Sequence, residues 1–375
     1  MNIYDNYKLD KIILATGNFT EFGGSIMSNE VIDSMREASK AFVDIRQLQD
    51  RAGEIISKIT KAESGIVTSG AAAGLVIATA ACITRKNVSA IKRIPDTKNL
   101  KNEVIIQRGH SNNYDRMIKM TGANIKYVEN SNDINLSHLE SLITNKTAAI
   151  EFVIAQFLTE KNVLKLEEVV SISKKYKIPL IIDAANELPP ISNLQKFIIA
   201  GADMVIFSGG KDIRGPQSTG FICGKKELIE SCLMNSSPNH SIGRSMKVGK
   251  EEIIGFLTAL QRYVKEDHNS RINKWEKQIY YFVEKLRNFD GLDVVRVFPD
   301  YTGRPVPRAF IKCTKKKIGL NHKELQERLK TGSPKILVME DYYKKGILID
   351  PSTLFENQIE IIANKIESLI VKQKK

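Results

Sequence analysis

Three short stretches hold residues whose types and spacing could do chemistry together. The first is TSGAAAG, Thr68 to Gly74, where an apolar strand ends in Ser69-Gly70 and runs at once into a helix starting on Ala71. Free backbone N–H groups and the positive end of the helix dipole suit a phosphate there; Ser69 adds a hydroxyl and Gly70 admits close approach. Small residues at such a turn also serve plain packing, and no GxxxxGK[ST] or GxGxxG stands nearby. The second is Asp183, the last residue of IPLIID. A carboxylate at a strand end must be paired or hydrogen-bonded to stay ionised, unless it is only the cap of the next turn. The third is FSGGKDIRGPQSTGF, Phe207 to Phe221. Its glycines turn the backbone sharply and bring Lys211 to the sheet edge, where a lysine can form a Schiff base with a carbonyl; a solvated loop lysine is the plainer alternative.

These residues need a frame that brings them together. Apolar runs punctuated by turn residues predict strands at Gly65–Thr68, Glu103–Arg108, Asn124–Val128, Thr147–Ile154, Ile178–Asp183 and Asp203–Ser208. Helices are predicted between them, at Ala71–Thr84, Asn112–Thr121, Lys165–Tyr176 and Asn193–Ala200. Strands alternating with helices imply βαβ units and a mostly parallel sheet, so the fold class is α/β. In such a sheet the strand C-terminal ends open on one edge, where ligands bind. Asp183 and Lys211 end consecutive strands and should be neighbours there. A phosphate at Ser69-Gly70, a carbonyl at Lys211 and a basic nitrogen facing Asp183 together describe pyridoxal phosphate, whose usual protein partners are a lysine Schiff base and an acid at the ring nitrogen.

The domain reading has four parts: an N-terminal segment 1–45, a large α/β domain 46–250, linking helices 251–290 and a smaller C-terminal α+β domain 291–375. The linking part rests on apolar residues at helical spacing from Ile254 to Leu286. The C-terminal part rests on strand-like Leu292–Phe298 and Ala309–Cys313, with helix-like Lys323–Lys330 and Asn357–Val371.

Composition excludes collagen, a disulfide mini-scaffold and a largely disordered chain: of 375 residues, 42% are hydrophobic and 26% charged. The net charge of +13 keeps anionic partners open, but its lysines are scattered, with no RGG tract, C2H2 spacing or long basic helix. Four separated cysteines form no CxxC, so a reducing cytoplasm is expected and no metal site. The uncharged run Ser64–Thr84 is long enough to raise a membrane span. Its glycines and alanines fit a buried strand and helix better, and no membrane partner is expected.

Seven segments carry a resemblance to a known family: GGSIMS (Gly23 to Ser28), LQDRAGEII (Leu48 to Ile56), TSGAAAGL (Thr68 to Leu75), NEVIIQRGH (Asn102 to His110), IIDAANELPP (Ile181 to Pro190), FSGGKDIRGPQSTG (Phe207 to Gly220) and IGRSMKVGKEE (Ile242 to Glu252). In these the chain resembles fold-type I pyridoxal-phosphate enzymes of the group that includes selenocysteine synthase (seryl-tRNA selenium transferase) and D-glucosaminate-6-phosphate ammonia-lyase. The resemblance implies Lys211 as the Schiff-base lysine and Asp183 as the acid at the pyridinium nitrogen. It implies Ser69, Gly70 and Ala71 around the phosphate with Ser208 close by, His110 stacked on the ring, and a homodimer or higher homo-oligomer.

The reaction expected from these residues is removal of an α-proton by Lys211, with elimination and ammonia release if the β-carbon bears a leaving group. The resemblance to the ammonia-lyase implies a small anionic substrate, a phosphorylated amino sugar acid. Arg308, Arg244 and Arg214 are candidate binders of its carboxylate and phosphate, with Lys247, Lys250, Arg108 and Arg304 behind them. The alternatives are a transferase on aminoacyl-tRNA, or a racemase or aldolase on a small amino acid. Only about forty residues precede LQDRAGEII, the first matched segment of the core, which speaks against a tRNA-gripping domain. A serine hydrolase of S-x-x-K type (Ser208 to Lys211) is disfavoured by the two intervening glycines, and an RNA-binding protein would show salt-dependent affinity without turnover.

Overall fold

Runs of apolar, mostly β-branched residues between turn residues become twelve strands among the described residues, which in the computed structural model are 3–130, 134–154, 162–341 and 343–371. In chain order they are β1 (Ile12–Ala15), β2 (Ser64–Thr68), β3 (Glu103–Gln107), β4 (Asn124–Val128), β5 (Thr147–Val153), β6 (Leu180–Asp183), β7 (Met204–Ser208), β8 (Gly220–Gly224), β9 (Leu292–Val297), β10 (Arg308–Cys313), β11 (Lys335–Asp341) and β12 (Gly346–Ile349). The chain divides into two units, Ser25–Glu266 and one formed by the residues on either side of it.

The unit Ser25–Glu266 holds a seven-stranded sheet of order β2-β8-β7-β6-β5-β3-β4. Strands β3 to β7 are parallel to their neighbours within that run, and β8 is antiparallel to both β7 and β2. Six strands therefore end on one edge, and β8 begins there. This is the α/β fold expected, with one reversed strand that GFICG does not betray: five residues between glycines are too few for periodicity to reveal a partner.

Ile66, Ile106, Ile181, Ile206 and Ile222 line one face, in the core that also takes in helix Ala71–Thr84; Val67, Ile105, Ile182, Val205 and Phe207 pack in the core on the other. That helix carries no charge and is buried from Ala73 to Thr84, which accounts for the uncharged run in the sequence. Among the described residues no helix is long and apolar enough to cross a membrane.

The apolar pattern after Gly249 resolves into two helices, Lys250–Lys265 and His268–Leu286, separated where Asp267 caps the second by accepting from Ser270 N–H. The first packs on helix Asn29–Ala38 and is tied to it by an Arg262–Glu30 ion pair of 2.8 Å. The second belongs to the other unit, where it packs with helix Gln358–Val371 beside the sheet β1-β11-β12-β10-β9. Strand β1 pairs in parallel with β11, a match of residues more than three hundred positions apart. The first 45 residues are thus shared between the two units.

Candidate active site

Helix Ala71–Thr84 begins without a side-chain cap: its N-cap is Gly70, at φ +109°. That conformation suits glycine, and a Cβ built there meets nothing within 4 Å, so open space lies before the first-turn N–H groups. Ser28, Asp44, Asn87, Asp267 and Asn321 each accept from the first turn of their own helices, whereas the helices that start after Ser192, Lys225 and Gly249 also lack a side-chain cap. The start of β8 closes on the same turn. A Cβ on Gly220 would stand 2.6 Å from Gly70 C and 2.7 Å from Ala71 N, so only glycine permits the approach. Ser69 Oγ donates to Met246 O at 2.9 Å, which ties the basic loop Arg244–Lys250 to this turn.

The connection between β7 and β8 carries Lys211, and Ser208 pairs with Gly220 at its base. Within it Gly209 N–H donates to Thr219 O at 2.8 Å, Gly215 N–H to Gly209 O at 2.9 Å and Arg214 N–H to Lys211 O at 3.0 Å. Buried Asp212 accepts from the Tyr263 hydroxyl at 2.7 Å, pinning the residue beside the lysine. Lys211 itself is half-buried, as is Ser208.

Asp183 ends β6, next to β7, and is 8% exposed. Burial pushes its carboxyl up from the ordinary value, while the Ala185 N–H, donating at 2.9 Å, and the charge of Lys211 pull it down. The two residues that the sequence places on consecutive strands therefore act on one another. His110 closes a short turn after β3 and meets Phe152 edge-on, with ring centroids 4.5 Å apart. Among the described residues its buried Nδ1 has no hydrogen-bond partner, and burial lowers the imidazole to about 4, so the ring is neutral at pH 7.

The candidate arginines fare differently. Arg214 reaches both oxygens of Glu266 at 2.6 Å, and Arg108 forks onto Glu129 at 2.6 and 3.0 Å while lying over the Tyr127 ring. Lys250 pairs with Glu251. Arg244 is exposed and, among the described residues, enters no ion pair. Arg304 and Arg308 lie in the other unit. There Arg308 is 2% exposed and meets Asp350 at 2.8 Å and Asp300 at 3.2 Å, with Tyr301 against its guanidinium. Arg304 meets Asp300 at 2.8 Å.

Sequence reasoning missed Glu151, buried in β5, although a single charge inside the apolar run TAAIEFV was the available signal. It also missed Tyr263 and Gly220, whose roles depend on partners distant in the chain.

The profile of the L-seryl-tRNA selenium transferase (SelA) family matches residues 12–274. A D-glucosaminate-6-phosphate ammonia lyase of Salmonella typhimurium is 32% identical, over 98% of each chain. A 5'-C-glycyluridine monooxygenase-decarboxylase of a Streptomyces species is 31% identical over 98% of this chain and 92% of its own. An L-seryl-tRNA(Sec) selenium transferase of Clostridium botulinum is 24% identical, over 97% of this chain and 83% of its own. A solved structure of D-glucosaminate-6-phosphate ammonia-lyase superposes with a TM-score of 0.89 at 31% identity, covering all of both chains. With all of this chain's length accounted for in these matches, the protein belongs to the SelA-like family of pyridoxal-phosphate-dependent enzymes.

Proposed function

We propose that this chain binds pyridoxal 5'-phosphate and is a lyase releasing ammonia from a phosphorylated 2-amino sugar acid, the reaction class that the Salmonella relative's name gives to that protein. The observation that carries the reading is the meeting of Lys211 and buried Asp183 on a sheet edge that also presents an uncapped helix start, in a chain that aligns end to end with that lyase.

The residues present fit the cofactor. The N–H groups from Ala71 onward would hold its phosphate, with Ser69, Gly70 and Ser208 beside them. Asp183 would hold the proton of its ring nitrogen, His110 would lie on its ring as a neutral imidazole, and Lys211 would carry it covalently. Bound there, pyridoxal phosphate supplies an electron sink that acidifies the α-carbon of an amino acid. Lys211 Nζ then takes the α-proton and can hand it to the β-hydroxyl oxygen that leaves as water. Addition of water at the α-carbon releases ammonia and leaves a 2-keto acid. Arg244, on the loop that Ser69 anchors, is the cation best placed to receive a substrate anion, since the Arg214 charge is already matched by Glu266. Arg308, in the other unit, already meets Asp350 and Asp300. The four free cysteines, three of them buried, agree with a reducing cytoplasm, and a homodimer or higher homo-oligomer is the assembly we assign.

The test mixes purified protein, pyridoxal phosphate and D-glucosaminate 6-phosphate. We expect a visible band that borohydride fixes on the Lys211 peptide, with ammonia and 2-keto acid released in equal amounts. Lys211→Ala should lose the fixed label and at least about 10³-fold in turnover. A bound, fixable cofactor without ammonia would overturn the lyase reading. The 31% identity to the monooxygenase-decarboxylase supports a second reading, and oxygen uptake with carbon dioxide release would establish it instead.

A further inference from the structure

Glu151 stands in the middle of β5, opposite Ile106 of β3 and Ile181 of β6, while Val153 stands opposite Asp183. Side chains alternate along a strand, so Glu151 and Asp183 project from the same face on neighbouring strands, with Glu151 one pair further from the ligand edge. That face packs in one core with helix Ala71–Thr84, which carries no charge. Glu151 is 4% exposed, and among the described residues its buried Oε2 has no hydrogen-bond partner.

Among the described residues the charges acting on Glu151 are of its own sign: Asp183 on β6 and Asp115 on helix Asp115–Lys119. Asp115 is answered by the Ser111 hydroxyl at 2.6 Å, the Asn112 N–H at 3.0 Å and the Tyr127 hydroxyl at 2.7 Å. Asp183 has the Ala185 N–H and the charge of Lys211. Among the described residues Glu151 has no comparable donor or cation, and a buried carboxylate in that position would be strongly unfavourable. Burial first, then Asp183 and Asp115, push its carboxyl well above the usual range.

We propose that Glu151 is a positioning residue of the cofactor site, an uncharged acid behind Asp183, so that the two carboxyl groups carry one negative charge and that charge stays on Asp183. The inference rests on the cofactor reading above. An ionised Glu151 would place a second negative charge beside the first and compete with Asp183 for the proton of the ring nitrogen.

Two measurements test it on the full chain. In apoprotein, wild type must keep on Glu151 a proton that the unfolded chain has already lost, so its stability falls as pH rises above the ordinary glutamate range. Glu151→Gln should therefore melt higher than wild type by a margin that grows from pH 5 to pH 9. Combined with Asp183→Asn, it should gain less than the sum of the separate gains, because the two acids repel. In protein loaded with pyridoxal phosphate, the negative charge that Glu151 acquires at alkaline pH favours the protonated cofactor. The alkaline midpoint of the visible band should then lie lower in Glu151→Gln than in wild type, by about half a pH unit or more.

A margin that does not change with pH would show Glu151 ionised and overturn the proposal. Additive gains, or equal midpoints with a band present, would overturn the coupling to Asp183 and leave the cofactor reading standing. No visible band in wild type would sink the cofactor reading, and the positioning role with it. If Glu151→Gln does not fold, Glu151→Leu takes its place in every arm.

Discussion

Charged residues are buried in both units, and the two burials have opposite character. Around Arg308, opposite charges are matched at short range: two aspartates, a second arginine and an aromatic face surround one guanidinium. On the ligand edge of the large sheet the polar groups are left short. Among the described residues a helix start has no side-chain cap, an imidazole nitrogen and a carboxyl oxygen have no partner, and two acids project from one face of adjacent strands, one pair apart in register. The first arrangement matches its charges within one cluster, with Arg308 Nη1 alone in it left without a hydrogen-bond partner among the described residues, and contributes to holding its unit together. The second leaves its polar groups to be answered by the cofactor proposed above.

This contrast can be broken by experiment. Asp350→Ala should cost about 3–5 kcal/mol of stability, because it strands a buried guanidinium. Burial raises the Asp350 carboxyl, but Arg308, Ser352 and Arg304 hold it below the ordinary value, so wild type has this contribution above the usual aspartate range and loses it as pH falls below. Chemical denaturation at pH 7 and pH 3 would read both, and a cost under about 1 kcal/mol at pH 7 would show the cluster not to be holding its unit.

His110→Phe should act in the reverse sense. The native imidazole resists protonation down to about 4 while the unfolded chain takes its proton near 6.5, so wild type loses up to about 3 kcal/mol across that window and the variant does not. The two stability curves should converge or cross on acidification. Parallel curves would mean that His110 is not held neutral by its burial.

Gly70→Ala has the smallest expected effect on the fold, about 1–3 kcal/mol from its backbone conformation alone, since the space for a methyl group is open. Its effect on pyridoxal phosphate affinity should be about tenfold or more, read by titration of the visible band, because the methyl group enters the space assigned to the phosphate. Unchanged affinity would move the phosphate elsewhere.

Much of the large unit could be read in advance because its strands are continuous apolar runs and its turns are marked by glycine. Lys211, Asp183 and Ser69-Gly70 each stand at the end of such a run, where a parallel sheet must present them on one edge. Other features depend on pairings that no local pattern records. Strand β8 lies between β2 and β7, β1 joins a sheet assembled from the far end of the chain, and Asp350 meets an arginine forty-two residues earlier. Arg308, read as a candidate clamp from its place at the start of a strand, is found between two carboxylates because its partners are set by tertiary contacts. Glu151 lay in plain view, but its meaning depends on register: shifted by one residue, it would face the opposite side of the sheet from Asp183.

The reversed direction of β8 has a consequence for chain continuity. Ser208 and Gly220, the two ends of the lysine-bearing connection, are hydrogen-bonded neighbours in one ladder. A single cut between them would leave Lys211 on a short tail whose anchoring strand is still paired, and the severed halves would remain joined by the sheet. An added residue, by contrast, has no free end through which to escape, because both feet of the loop are fixed to the same ladder. Such a loop tolerates a break in its backbone better than a change in its length.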